Sequence, residues 1–134
     1  SHGRALWALG GVIGQSSDPG RRGLALHLFH AALPAAPSFT SPRGWAFALL
    51  GINEYLRAFQ GDSGVEAVRQ QLSERLLAQL EHNRARDWPW YEDNVTYDNA
   101  RLSQALIVSG ARMGNAEMTA ARVPRLAARH PAYP

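Results

Sequence analysis

The sequence predicts an all-α chain of about six helices in three antiparallel hairpins. Three observations carry that reading. Apolar residues recur at helical spacing along nearly the whole chain, with no stretch that alternates as a half-buried strand would. Cap and breaker residues punctuate the periodic stretches at Asp18-Pro19, Ser41-Pro42, Gly61 and Gly114-Asn115. The first, third and fifth stretches also resemble one another and differ from those between them.

The elements follow in order. Arg4 to about Gln15 reads as a helix, weakened by Gly10 and Gly11. Asp18 then caps a second helix whose first residue is Pro19 and which stops before Pro34. Residues 34–41, PAAPSFTS, form a proline-broken connector. The third helix, 42–60, opens on a Ser41 cap and Pro42, carries Trp45, Leu49, Ile52, Leu56 and Phe59 as one stripe, and can end on a left-handed Gly61. Ser63-Gly64-Val65-Glu66 matches a capping box for the fourth, which turns Val65, Val68, Leu72, Leu76 and Leu80 inward. Asp98 or Asn99 can cap a fifth helix through Met113, and Gly114-Asn115 leads into a last one that Pro124 kinks or ends. Residues 131–134 are expected to fray.

At 134 residues the chain has the length of one domain, 1–134. No apolar run is long enough to span a membrane and no signal-peptide pattern opens the chain, so the expected location is cytoplasmic. Ser1-His2-Gly3 reads either as a vector remnant or as native sequence. There is no cysteine, which removes disulfides and thiolate chemistry. The net charge is +3, and all 14 basic residues are arginine. They are scattered among acids rather than gathered in a stripe, which argues against nucleic acid as the partner.

The internal likeness is specific. SHGRALWAL, SPRGWAFAL and DNARLSQAL open the odd-numbered helices, each with an arginine in the first turn: Arg4, Arg43 and Arg101. Small residues, among them Ala8, Gly10, Ala46, Ala48, Gly51, Ala105, Ser109 and Gly110, concentrate on the same helices and permit close packing. The even helices are more charged. Alternating inner and outer helices are what an (α/α) toroid requires, and three hairpins make an arc of one. An arginine at a helix N-terminus opposes the macrodipole. Two explanations fit three in register: an ion pair with a carboxylate, or a hold on an anionic or polyhydroxylated ligand.

The richest stretch is 88–102, WPWYEDNVTYDNARL. Trp88 and Trp90 flank Pro89 and so belong to an extended or turn segment. Indole faces beside carboxylates, amides and an arginine suit a saccharide, whose C–H face stacks while its hydroxyls are hydrogen-bonded. The alternative is that both tryptophans plug the core. Glu92, Asp93 and Asp98 are candidate general acid and base for glycosidic chemistry, which needs two carboxylates, one with a raised pKa. Asp98 has a competing use as a helix cap; Glu92 has none. Tyr91 and Tyr97 can donate through their hydroxyls or simply pack. Elsewhere, His27 and His30 lie three apart with no third ligand at metal spacing, and neither a phosphate-binding glycine loop nor a nucleophile elbow is present. No metal or cofactor is expected.

HGRALWALG, FTSPRGWAFALLGINEYLRAF and WPWYEDNVTYDNARLSQAL together resemble the all-helical domain found beside the catalytic domain of certain bacterial glycosyltransferases. That domain is similar to the six-hairpin toroids of glycosidases and sugar epimerases, and the likeness covers roughly residues 2–118. It implies an (α/α)6 toroid, of which this chain would be a fragment, with the inner-helix N-termini lining a cleft. Carried onto this chain, it places His2, Arg4, Arg43, Trp45, Trp88, Trp90, Glu92, Asp93, Tyr97, Asp98, Asn99 and Arg101 at that cleft. The implied partners are a carbohydrate ligand and a glycosyltransferase domain in the full-length protein. The chain holds no nucleotide-sugar-binding portion, so catalysis by it alone is not expected. The competing expectation is a non-catalytic helical scaffold, for which a partial toroid with apolar flanks gives a route to homodimerisation.

Overall fold

The computed structural model describes residues 2–85, 99–114 and 116–119, and all the regular structure among them is helical. Five full-length helices are α1 (His2–Gln15), α2 (Pro19–Ala32), α3 (Pro42–Ala58), α4 (Ser63–Ala85) and α5 (Asn99–Met113). Gly114, at φ +70°, turns the chain into one further helical turn, Ala116–Thr119. The rest of the expected sixth helix, the Pro124 kink and the tail lie outside the described residues.

Local chemistry explains the boundaries. The Asp18 carboxylate accepts the Gly20 and Arg21 backbone N–H groups at 3.0 and 3.4 Å, and Pro19 occupies the first helical position of α2. Ser41 Oγ accepts the Arg43 N–H at 3.2 Å, capping α3. Such a cap contributes about 1 kcal/mol. The start of α4 differs from the expected Ser63 capping box. Asp62 takes the role instead, accepting the Val65 N–H at 3.3 Å, so the cap lies one residue earlier. Gly61, at φ +87°, makes the preceding turn. The connector is more ordered than its prolines imply. Leu33–Ser38 forms a 3-10 helix whose eclipsed positions Leu33 and Ala36 are buried, and Arg75 of α4 donates to the Pro37 carbonyl.

Helix α3 is the centre of the molecule. Every residue from 46 to 53 is buried, so the stripe expected on one face is in fact a helix covered on all sides. It packs against α1, α4 and α5. The contact with α1 is backbone on backbone: a methyl group on Gly10 would overlap the Gly51 carbonyl, and one on Gly51 would overlap the Leu6 carbonyl. Gly3 meets Gly44 and Gly14 meets Glu54, so the pairs advance together and the two helices run parallel. Arg101 lies beside Trp7, and Asn53 Nδ2 donates to Ser109 Oγ at 2.9 Å, which sets α5 in the same direction on the other side of α3. The odd helices therefore form one layer with their N-termini at a common end. Helix α2 packs on α1, where Arg22 Nε donates to the Ile13 carbonyl. Helix α4 covers α3 and α5 through buried Val65, Leu72, Leu76 and Leu80.

Candidate functional site

A cleft of about 490 Å³ opens at the N-terminal end of α1 and α3. Three features build it. Among the described residues its charged lining is cationic: Arg4 and Arg43 stand in the first turns of the two helices, with His2 at the start of α1. Its hydroxyls come from Ser38, Thr40 and Ser41, where the 3-10 segment hands the chain to α3. Its apolar wall is Phe39 and Phe47. The floor is thin because Gly3 and Gly44 meet there, and a methyl group on Gly3 would sit 2.9 Å from the Gly44 carbonyl oxygen.

The wall is organised by π contacts. The Arg4 guanidinium lies over the Phe47 ring at 5.0 Å, Phe47 stacks on Trp7 at 5.4 Å and 24°, and the Arg101 guanidinium lies over Trp7 at 5.2 Å. Arg4, Phe47, Trp7 and Arg101 thus form a continuous series across α1, α3 and α5. Each guanidinium–ring contact contributes about 0.5–1 kcal/mol at a partly exposed site. Gln104 Oε1 accepts from Arg101 at 2.8 Å and fixes the outer end. The two end arginines are thereby held by their faces. At the rim, the Trp45 indole N–H donates to the Phe39 carbonyl at 2.7 Å, and the His2 ring packs on Phe39 at 5.5 Å.

Of the residues expected at the site, His2, Arg4 and Arg43 line this cleft. Trp45 does not line it but ties down its rim, and Arg101 closes the π series one helix away. Asn99 begins α5. Trp88, Trp90, Glu92, Asp93, Tyr97 and Asp98 lie outside the described residues. Trp7, Phe39, Thr40 and Phe47 were not foreseen as site residues. A signal existed for two of them: Trp7 and Phe47 each follow the first-turn arginine of their helix by about one turn.

A second polar cluster sits at the other end of α3. Tyr55 Oη donates to Asp62 Oδ2 at 2.6 Å, and His30 Nε2 lies 3.3 Å from the same hydroxyl. Phe29 and Phe59 stack on the Tyr55 ring. Burial first, then the hydrogen bond and charge of Asp62, push the phenol up to about 12, and the Tyr55 hydrogen bond holds the Asp62 carboxyl below its usual value. This cluster joins α2, α3 and the start of α4, which is a structural task. Glu54 pairs with Arg57 of its own helix at 2.9 Å.

No family model, curated protein or solved structure matches this chain. The fold and the cleft therefore carry the functional reading by themselves.

Proposed function

We propose that this chain is a carbohydrate-binding or carbohydrate-processing helical domain, an arc of an (α/α) toroid of the kind that accompanies bacterial glycosyltransferases. The observation that supports it is the convergence of three first-turn arginines at one end of the odd-helix layer. Two of them line a cleft of saccharide size with hydroxyls and a phenyl wall. The segment 88–98, with Trp88, Trp90, Glu92 and Asp93, immediately precedes α5 in the chain, and α5 begins at that same end. In this reading the tryptophans stack the sugar, Arg43, Asn99 and Tyr97 bond its hydroxyls, and Glu92 with Asp93 or Asp98 forms the acid–base pair if the domain is catalytic.

Titration with glucose- and mannose-containing oligosaccharides, followed by tryptophan fluorescence, tests it. Saturable perturbation at millimolar sugar is expected, weakened at least about tenfold in Arg43→Ala, the loss of one charge-assisted hydrogen bond. Glu92→Gln is expected to keep its melting temperature and lose affinity. An unresponsive protein, or a Glu92→Gln variant that unfolds, would remove the assignment.

A second reading has its own observation. Leu24 and Leu28 stand one turn apart on α2 and are 61% and 43% exposed. A scaffold that docks through α2 would use them, and the double variant Leu24→Glu, Leu28→Glu would then turn a dimer seen by light scattering into a monomer.

A further inference from the structure

We propose that the junction of α4 and α5 binds a small oxyanion, of the phosphate, sulfate or carboxylate class, between Arg69 and Arg112, with the Ser73 hydroxyl as a further donor. Arg112 lies in the last turn of α5, so this site stands at the end of the odd-helix layer away from the cleft. It does not rest on the saccharide reading.

The first ground is a buried guanidinium that the protein satisfies only in part. The Arg69 side chain is 9% exposed. Its carboxylate neighbour Glu66, one turn earlier on α4, stands 3.6 Å from the terminal nitrogen Nη2 and is itself 44% exposed. Arg69 Nε is buried and has no hydrogen-bond partner among the described residues. Nε and Nη2 share one edge of the group, and their N–H bonds run parallel, in the fork that fits two oxygens of an oxyanion. Glu66 meets that fork at one nitrogen and from beyond hydrogen-bond distance. A guanidinium withdrawn from water with a donor left open calls for an acceptor.

The second ground is Ser73. It lies one turn further along α4, is fully buried, and its hydroxyl likewise has no partner among the described residues. A serine inside a helix ordinarily bonds back to the carbonyl four residues earlier, which here belongs to Arg69. Side chains four apart on a helix are neighbours, about 5–6 Å between Cβ atoms, so one ion can meet both orphaned groups.

The third ground is charge. Helix α4 packs on α5, whose exposed Arg112 acts on Arg69 as a like charge. Burial pulls the Arg69 guanidinium below its usual value, Glu66 opposes the fall, and Arg112 adds to it. An anion between the two guanidinium groups turns that repulsion into two attractions. The exposed Arg112 side gives a solvent ion its way in.

Calorimetric titration with sodium phosphate, sulfate and acetate, against sodium chloride at equal ionic strength, tests the proposal. At least one oxyanion is expected to give a saturable isotherm that chloride does not, and to raise the melting temperature by about 5 °C at saturation. Acetate alone marks a planar carboxylate site, and phosphate or sulfate a tetrahedral one. Affinity should fall at least about tenfold in Arg69→Met, whose apolar chain suits the buried position, and severalfold in Arg112→Gln or Ser73→Ala. Arg21→Gln on α2 and Arg43→Gln at the cleft should bind as the wild type does. Circular dichroism checks that each variant folds, and Arg112→Gln and Ser73→Ala decide the matter if Arg69→Met does not. Sulfate and phosphate strengthen burial in any protein, so a rise in melting temperature that Arg69→Met shares in full would count against the site. An absence of binding beyond chloride would overturn it. So would wild-type affinity in Arg69→Met, or in both Arg112→Gln and Ser73→Ala. None of these outcomes bears on the sugar titration, so the two readings fail separately.

Discussion

Tyr55 shows how much one side chain can hold together. Its ring stacks on Phe29 of α2, its hydroxyl reaches Asp62 at the start of α4, and Asp62 caps that helix. Tyr55→Phe keeps the ring and removes the donor, so the expected loss is about 1.5–3 kcal/mol, as for a hydrogen bond to a charged group. The pH dependence has a definite sign. The Asp62 pKa is lower in the folded protein, so its contribution is present above the unfolded value of 3.8 and is lost as pH falls through the folded value. The Tyr55 pKa is raised from 10.0 to about 12, so that contribution is present below pH 10.0 and lost as pH rises towards about 12. Urea unfolding of wild type and Tyr55→Phe should therefore differ most at neutral pH and converge at both extremes. The composition of this cluster was visible in the sequence, but its assembly was not. Tyr55 read as one more residue of an apolar helix, and Asp62 lost the cap to Ser63 because the Ser-x-x-Glu pattern is the more familiar signal.

Among the elements, the α1–α3 contact makes the sharpest distinction between neighbouring glycines. Gly10 faces the Gly51 carbonyl with no room for a methyl group, whereas a methyl group on Gly11 meets nothing within 4 Å. Gly10→Ala must push two helices apart and is expected to cost about 1–3 kcal/mol, lowering the melting temperature by several degrees. Gly11→Ala gains helix propensity and is expected to stabilise by up to about 1 kcal/mol. Differential scanning calorimetry on the pair decides it, and equal effects would mean that the helices are not in backbone contact. Local propensity treats both glycines alike as helix weakeners, and the small-residue pattern names only Gly10 for close packing. Their separation depends on which face meets α3, a tertiary fact. Helix boundaries were far more legible, because Asp18-Pro19, Ser41-Pro42, Gly61 and Gly114 act within a few residues of themselves.

For the molecule as a whole, the order of the layers was readable and the contents of the cleft only partly so. Small residues on the odd helices foretold close packing, and α3, the most apolar of them, became the buried centre. The repeated first-turn arginine foretold a shared end, since parallel helices in one layer must bring matching positions together. What the pattern could not supply was the partner of each arginine. Phe47 for Arg4 and Trp7 for Arg101 are contacts between different helices, with no signature in either stretch alone. The rim contributed by Phe39 and Thr40 was hidden because residues 34–41 read as a connector with no task. Trp45 anchors that rim by one hydrogen bond, and Trp45→Phe is expected to weaken saccharide binding more than stability, which falls by about 1 kcal/mol. The most direct test of the cleft is amide and indole NMR of the labelled protein, recorded while a glucose- or mannose-containing oligosaccharide is added. Shifts gathered at residues 2–7, 38–47 and 99–104 are expected. Shifts gathered around Leu24 and Leu28 on α2, or none at saturating sugar, would contradict a saccharide site at the mouth of the odd helices.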